Sequence, residues 1–447
     1  MYLSERPLLR IITLCALYVA QGIPFGFVTV TLAAYLKVKG FSLIEIGYLT
    51  AILSLPWTLK WVWGPIIDSV TIPGMGKRRP WILMAQCCMI ITISLMVFNP
   101  DIVTDYDSLW WMILILNVFV SIQDVSVDAL AVDLLEESER ERVSGYMFGA
   151  SYIGGFLGST IIGSVVGDYG MAPALLVLLS FLAIIMLFPL LLRERRGDLF
   201  FGITSRNRKS DLTNSVTTSR FSNNNLIQTF INIFRAFSFK STLLGALLAL
   251  LVKIGLAISS IVGIQFILED LAWEETAYTS LVGNADLIFG FGGSILGGYL
   301  AAKCGVKRIL IYSSVMLGLT WAILPTFPGL WEYDLFISIY IKAQALLGGM
   351  TSVALFSLFI NISWPKVAAT QFTAYMALLN LSTMCGGWLS GNLLSILSWT
   401  DVMYLIGLFQ ALSIFVVLLI DPTEARKALD SRERAASEKE IVFDPGR

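Results

Sequence analysis

Two carboxylates lie in the middle of one long apolar stretch, and their spacing predicts a polar stripe on a membrane helix. Asp124 and Asp128 follow Asn117 and Ser121 at intervals of four, three and four residues, within Leu109 to Leu135. Because residues three or four apart share a helix face, all four side chains point the same way. An ionisable group in hydrocarbon is costly and normally faces a bundle interior or an aqueous cavity, so the stripe predicts a solute or proton path.

Three lysines in other apolar stretches complete the set of candidate charges. Lys60 lies toward the end of the second stretch, where its long side chain could either reach the membrane interface or pair with Asp128. Pairing is favoured because unpaired interior charges are rare. Lys253 lies about 16 Å along a helix that begins near Thr242, at about 1.5 Å per residue, which is close to the membrane midplane. Lys253 and Lys342 would suit an anionic group of a solute, such as a carboxylate or phosphate.

Polar and aromatic side chains elsewhere join the predicted substrate site. Gln21 matches Lys253 in depth, and its neighbours Gly22, Pro24 and Gly26 predict a break or kink that frees backbone groups. Further hydrogen bonds and ring stacking are expected from Gln265, Asp286, Gln344, Asn380 and Tyr152. The alternative is that most of these groups only link helices, at about 0.6 kcal/mol each.

The absence of histidine shapes the predicted chemistry. Proton coupling near neutral pH would fall to carboxylates, with Asp124 as the preferred carrier and Asp128 and Lys60 beside it. The sequence also lacks an HExxH motif, a Walker loop and a nucleophile elbow, which argues against an enzyme. No metal site and no cofactor is expected.

The composition predicts the elements that position these residues. Hydrophobic residues make up 56% of the 447-residue chain and charged residues 14%, a balance outside the range of soluble domains. A spanning helix needs roughly 20 apolar residues. About twelve segments meet that length: Ile11 to Leu36, Leu43 to Ile67, Trp81 to Phe98, Leu109 to Leu135, Val143 to Val166, Ala172 to Leu192, Thr242 to Leu268, Ala277 to Ala302, Ile309 to Pro325, Leu335 to Ile360, Ala368 to Leu397 and Val402 to Ile420.

The predicted fold is an all-α integral membrane protein with two six-helix bundles, 1–192 and 242–420. A basic linker, 193–241, joins them and contains a possible interfacial helix from Leu226 to Phe239, and a charged tail follows at 421–447. Lysine and arginine concentrate in alternate loops, which predicts that both termini are cytoplasmic. The plan is self-contained, so a monomer in the lipid bilayer is expected, with no nucleic-acid partner.

A loop motif recurs after the second and the eighth predicted helices. Both copies combine a glycine with a basic cluster, which would anchor the cytoplasmic helix ends, and the glycine at the helix exit would permit close helix approach. The second copy has Ala302 where the first has Asp68. The predicted gating residues are Gly64, Asp68, Lys77, Arg78, Arg79, Gly298, Lys303, Gly305, Lys307 and Arg308.

These loops resemble the signature of the major facilitator superfamily, and four further motifs resemble AmpG-type permeases. The motifs begin at Gln21, Leu59, Lys77 and Gln123, and read QGIPFG, LKWVWGP, KRRPW and QDVSVD. The run from Gly154 to Gly158 is equally similar to the related acetyl-coenzyme A transporters. The sequence departs from the AmpG type at Leu256 and Gln344, where acids are common, and at Ile153, where arginine is common.

The resemblance implies a secondary transporter that works by alternating access. AmpG-type proteins import anhydro-muropeptides with protons across the bacterial inner membrane, so the expectation is proton-coupled import of an amphiphilic anionic solute. Acetyl-coenzyme A, a siderophore or another organic anion remain alternatives. A receptor or scaffold on the same fold is a second alternative, because a fold does not fix a function.

Overall fold

The computed structural model describes residues 2–69, 74–99, 105–199, 235, 237–364, 368–422 and 424. The described residues are overwhelmingly helical, and the only paired extended residues among them are Tyr2 and Arg193. The main helices are α1 Pro7–Val38, α2 Leu43–Thr58, α3 Arg79–Phe98, α4 Tyr106–Leu134, α5 Val143–Tyr169, α6 Met171–Leu191, α7 Lys240–Asp270, α8 Glu275–Cys304, α9 Val306–Thr326, α10 Asp334–Ile362, α11 Ala368–Leu394 and α12 Trp399–Leu419.

Ten of these helices are long and apolar enough to cross a membrane. The chain is therefore a multi-pass membrane protein. The other two are α2, which is shorter, and α11, so the predicted total of twelve spans stays a prediction. The helix ends agree with the sequence-based boundaries to within a few residues in most cases; α3, for example, ends at Phe98 as expected.

Two helices are interrupted where a lysine lies inside the bundle. After α2 ends at Thr58, Lys60–Val62 form one turn of 3-10 helix before a short helix, Trp63–Ser69, continues the path. In α7 the α-helix stops at Leu251 and resumes at Ile254, with Lys253 between the two parts. Interrupted helices place backbone groups at the solute site in many transporters.

Helix α1 has no break at Gly22 to Gly26, and the other predicted form, a kink, stays a prediction. Helix α1 runs as α-helix through Pro24 and Gly26, and becomes a π-helix only over Phe27–Leu32. The glycines serve packing instead, because a Cβ on Gly22 would lie 2.3 Å from the Ser151 carbonyl oxygen on α5. Small residues let membrane helices approach this closely.

The glycines of the two loop motifs are not the ones at close helix contacts. Among the described residues no atom lies within 4 Å of a Cβ added to Gly64, and the atom nearest to a Cβ added to Gly298 is a Val353 methyl at 3.4 Å. On α8 the tight contacts belong to Gly293 and Gly297, whose added Cβ atoms would lie 2.1 Å from the Leu346 oxygen and 2.7 Å from the Met350 Cα. Gly298 is therefore not at the tightest contact of α8 as expected, and for Gly64 the described residues show no close approach.

We call the end of the molecule that holds Pro7 and Lys240 the terminal side, and the end that holds Val38 and Asp270 the far side. We also call the described residues up to 199 the first half and those from 235 the second half. The halves meet closely at the far side, through contacts between α2 and α11 and between α5 and α8. These contacts join Gly47 with Gly387, Ile44 with Gly391, and Gly167 with Thr276.

Two predicted segments lie mainly outside the described residues. Of the linker, the structure describes 193–199, 235 and 237–241, so the proposed interfacial helix over Leu226 to Phe239 is largely not covered. Of the tail it describes residues 421, 422 and 424. Glu424 accepts a hydrogen bond from the backbone N–H of Ser241 at 2.9 Å, which ties the start of the tail to the start of α7.

Candidate functional site

A buried ion pair connects α2 and α4. The Nζ atom of Lys60 lies 3.3 Å from Oδ2 of Asp124, and the side chains are 19% and 4% exposed. One turn away, the indole N–H of Trp63 donates to the Ser121 hydroxyl at 3.1 Å. The lysine was expected to pair with Asp128, and this expectation is wrong. The 3-10 turn at Lys60 changes the helical register, which brings the lysine to the acid one turn closer to the start of α4.

Asp128 bonds to a different helix and to a neutral group. The hydroxyl of Tyr18 on α1 donates to its carboxylate, and no lysine or arginine among the described residues lies within 4 Å. Gln123, next to the acidic stripe, donates to the Leu17 carbonyl at 2.9 Å. The polar stripe of α4 therefore links α1 and α2.

Lys253 lies in the second half without an acidic partner. Its ammonium donates to the Ser352 hydroxyl on α10 at 2.8 Å, and its backbone N–H donates to the Ser382 hydroxyl on α11 at 3.1 Å. No carboxylate within the described ranges comes within 4 Å of its Nζ atom. A cation satisfied only by a neutral hydroxyl leaves its charge available to an anionic ligand.

Helix α11 contacts both interrupted helices. Ser382 accepts from Lys253 at the interruption of α7, while Asn380 donates its side-chain amide to the Trp57 carbonyl at 3.2 Å, just before the interruption of α2. The two residues are two positions apart on one helix. The ion pair of the first half and the free cation of the second half are thus connected through α11.

The remaining predicted substrate residues have separate environments. Gln344 accepts from the Trp321 indole at 3.2 Å, and Lys342 lies over the Phe289 ring with Nζ 5.9 Å from the centroid. Neither shares a described contact with Lys253. The side-chain oxygens of Gln21 and Gln265 are buried without a hydrogen-bond partner among the described residues. Buried amide oxygens of this kind are normally satisfied by water or a ligand.

Tyr152 spans the two halves of the molecule. Its hydroxyl lies 3.2 Å from that of Ser294 on α8, and its ring lies 5.9 Å from the Phe291 ring between centroids. On its own helix, Phe148 meets it edge to face at 5.7 Å. These aromatic side chains line the boundary between α5 and α8 at mid-depth.

The first loop motif is held by an acid that the sequence analysis missed. The backbone N–H groups of Lys77, Arg78 and Arg79 all donate to the carboxylate of Glu194, which is 5% exposed. The side chain of Arg78 also pairs with Asp133 at the end of α4, at 2.9 Å. The carboxylate sits at the N-terminus of α3, where negative charge is stabilised. The side chain of Asp68 lies outside the described part of the structure.

The second loop motif binds the end of α12. Gly305 ends α8 with a φ of +97°, a conformation that favours glycine. Lys307 then donates to the Ile420 carbonyl at 2.6 Å and to the Leu418 carbonyl at 3.3 Å, where a helix C-terminus attracts positive charge. Lys303 and Arg308 line an open surface cavity beside it, together with Asn361 and Pro422.

Only weak signals in the sequence point to the contact residues that were not predicted from it. Glu194 is an acid within the basic run from Arg193 to Arg196, and Glu139 is an acid beside Arg140. In the structure Glu139 pairs with the buried Arg10 at 2.6 Å, which joins the terminal end of α1 to the segment just before α5. An acid inside a basic cluster is thus a usable signal for a loop contact, but the partner does not follow from it.

Comparison with known proteins identifies a family and a fold. The BT1 family matches residues 21–426. A putative transporter AmpG 4 of Rickettsia conorii is 25% identical over 431 residues, covering 92% of this chain and 96% of the relative. The anhydromuropeptide permease of Escherichia coli K12 is 24% identical over 415 residues, covering 90% and 77%.

A solved structure supports the fold alone. The nucleoside transporter NupG superposes with a TM-score of 0.67 at 15% identity, covering 92% of this chain and 98% of that one. The resemblance to AmpG-type permeases of major facilitator type, inferred from the sequence motifs, is confirmed by these findings.

Proposed function

This chain belongs to the BT1 family, and from that premise we propose that it is a secondary transporter that imports an amphiphilic anionic solute with protons. The relatives named as AmpG transporters and as an anhydromuropeptide permease make an anhydro-muropeptide the first candidate solute. The single observation that carries the proposal is Lys253: a cation deep in the bundle, at a helix interruption, whose described partners are neutral hydroxyls.

Lys253 is proposed to bind a carboxylate of the solute. A single ammonium offers three donors, of which the Ser352 hydroxyl takes one, so donors remain for an anion. Desolvation strengthens such a pair compared with one at the surface. Gln344, Gln265, Gln21 and Tyr152 remain candidates for further contacts, and Lys342 for a second anionic group.

Proton coupling is proposed to use the carboxylates of α4. Protonating Asp124 would leave Lys60 as an uncompensated interior cation, whereas protonating Asp128 would leave no unpaired cation, because its described partner is the neutral Tyr18. We therefore favour Asp128 for the first proton, and a role for Asp124 once the pair with Lys60 separates during the cycle. This reverses the order expected from the sequence.

Alternating access is proposed to occur by rocking of the bundles 1–192 and 242–420 about the mid-depth site. The far-side contacts of Gly47, Gly167 and their partners belong to a state with that side closed. The loop motifs, held by Glu194 and by the end of α12, would then rearrange on the terminal side. We assign both termini to the cytoplasm and the protein to the bacterial inner membrane, as a monomer without an enzymatic role.

The test is uptake of labelled anhydro-muropeptide into proteoliposomes with an imposed proton gradient. Wild type is expected to accumulate the label. Lys253→Ala is expected to lose uptake because it no longer binds the solute, and the uptake by Asp128→Asn is expected to lose its dependence on the gradient. Lys240→Ala serves as the matched control, because it removes an exposed lysine at the start of the same helix. Absence of uptake by well-folded wild type would refute the muropeptide assignment and direct the search to coenzyme A esters and siderophores.

A further inference from the structure

Asp286 lies on the inner face of α8. Ile288, Ile295 and Tyr299 are all exposed and define the lipid-facing side of that helix. Rotation is about 100° per residue in α-helix and smaller over the π-helical residues Asp286–Gly290, which places Asp286 on the side of α8 opposite to these three residues. It shares its face with Gly283, which contacts Ser159 and Thr160 on α5, and with Gly290, which contacts Tyr152. The carboxylate therefore points toward the boundary between the halves.

Asp286 is exposed although it faces inward, so it borders a space within the protein. It lies about 11 residues, or about 16 Å, from the start of α8, which is close to the middle of the membrane. Within the described ranges no lysine or arginine comes within 4 Å of it, and no hydrogen bond to another side chain satisfies it. Such an acid in a membrane interior calls for a cationic partner.

An aromatic ring borders the same point as this carboxylate. A Cβ added to Gly290 would lie 3.1 Å from Cε1 of Tyr152 and 3.8 Å from Oδ1 of Asp286. The Tyr152 ring in turn contacts Phe148 and Phe291. An acid beside aromatic rings suits an ammonium group, because the ring face and the carboxylate both attract positive charge.

We propose that Asp286, together with the Tyr152 ring, binds the positively charged amino group of the solute, while Lys253 binds its carboxylate. The transported molecule is thus amphoteric rather than simply anionic. The inference rests on the proposed function, which supplies the solute class, and it adds a second charged group at a defined place. Gly290 contributes by leaving room for the Tyr152 ring beside the acid.

The experiment compares two forms of one solute in the same proteoliposomes: an anhydro-muropeptide with a free amino group, and its N-acetylated form. Wild type is expected to take up the free amine at least about tenfold faster, since a tenfold difference needs only about 1.4 kcal/mol. Asp286→Asn is expected to remove this preference by slowing the free amine while leaving the acetylated form unchanged. Asp334→Asn, at the exposed start of α10, is the matched control.

Each outcome decides the inference. Uptake of the acetylated form by Asp286→Asn shows that the variant is folded. Loss of the preference for the free amine in this variant then supports the cation site, and a restored preference in Asp286→Glu supports it further. Equal uptake of both forms by wild type overturns the inference and leaves the proposed function standing. If Asp286→Asn keeps the preference for the free amine, the inference is overturned as well. If this variant keeps the preference but loses its dependence on the proton gradient, the acid is assigned to proton transport instead. Uptake of neither form by wild type refutes both proposals.

Discussion

The ion pair of Lys60 and Asp124 is an expensive feature inside a membrane bundle. Removing two charges from water costs several kcal/mol per ion, and their attraction offsets this only when both partners are present. The pair therefore holds α2 against α4 in the observed state, and its loss would leave one uncompensated charge. In the proposed cycle the pair would matter because it can break, and its contribution to net stability would be small.

Variants that remove one or both charges test how much each partner of the ion pair depends on the other. Lys60→Met is expected to destabilise the protein by about 3–5 kcal/mol, because the Asp124 carboxylate is 4% exposed and loses its counter-ion. The double variant Lys60→Met with Asp124→Leu is expected to recover most of that loss, since a buried pair and an apolar pair are often similar in stability. Thermal unfolding in detergent measures both. A single variant as stable as wild type would contradict the argument.

Sequence reasoning found the charges but not their partners. The spacing of Asp124 and Asp128 places both acids on one face of α4, and in the structure both face the interior of the helix bundle. Which acid meets Lys60 depends on the rotation of the chain at residues 59–62, where one 3-10 turn replaces α-helix. No local pattern in the sequence specifies that turn. For Asp286 the sequence likewise supplied only a hydrogen-bonding candidate, and its inner face follows from the exposure of Ile288 and Ile295 in the structure.

At the level of elements, α11 connects the two helix interruptions. The hydroxyl of Ser382 satisfies the backbone N–H of Lys253, and the amide of Asn380 satisfies the carbonyl of Trp57. Buried backbone groups require such partners, and helix interruptions create the need. A movement of α11 would thus act on both charged sites at once, which gives this helix a central part in coupling them.

Replacing one of these hydrogen-bond partners tests the role of α11 in coupling the two charged sites. Ser382→Ala leaves the Lys253 N–H buried without an acceptor and is expected to cost about 1–3 kcal/mol of stability. Thr383→Val is the matched control, because the hydrogen bond described for the Thr383 hydroxyl goes to the Leu379 carbonyl of its own helix. Thermal unfolding, with uptake measured in parallel, distinguishes the two. Equal behaviour of the two variants would remove the proposed role of Ser382.

A second element-level feature is the close contact of α1 with α5. An added Cβ at Gly158 would lie 2.1 Å from the Ile23 carbonyl oxygen, so Gly158→Ala is expected to force the helices apart and lower the unfolding temperature. A Cβ added by Gly145→Ala on the same helix meets no described atom within 4 Å, so this variant is expected to be neutral or slightly stabilising. An unchanged unfolding temperature for Gly158→Ala would show that the helices tolerate separation.

Helix positions were predictable from the sequence, whereas helix irregularities were not. Apolar length sets where a span begins and ends, and this works for α3 and α4. Glycine and proline, in contrast, have two uses, and at Gly22 to Gly26 they serve close packing with α5 rather than a break. On α8 the close contact is at Gly297, whereas the glycine of the loop motif is Gly298. These neighbours point in different directions, because each residue of an α-helix is rotated by about 100° from the one before it.

For the whole molecule, the arrangement of contacts describes one state of a transport cycle. The halves touch through backbone atoms at the far side, and an ion pair between Lys37 and Glu269 at 2.7 Å spans the same side. That pair is partly exposed, so it contributes little by itself, and the glycine contacts carry the closure. Opening the far side requires α5 to separate from α8 and α2 to separate from α11.

A reversible disulfide tests whether this separation is part of transport. The Cβ that Gly167→Cys would add lies 3.6 Å from the Cβ of Thr276, which matches the spacing of about 3.5–4.5 Å in natural disulfides. The double variant Gly167→Cys with Thr276→Cys, in a chain whose five cysteines are replaced by serine, is expected to cross-link under mild oxidation. Uptake should then stop and return with dithiothreitol, because the far side must open in each cycle. The single-cysteine variants should be insensitive to both treatments, and full uptake by the cross-linked protein would show that α5 and α8 stay together throughout the cycle.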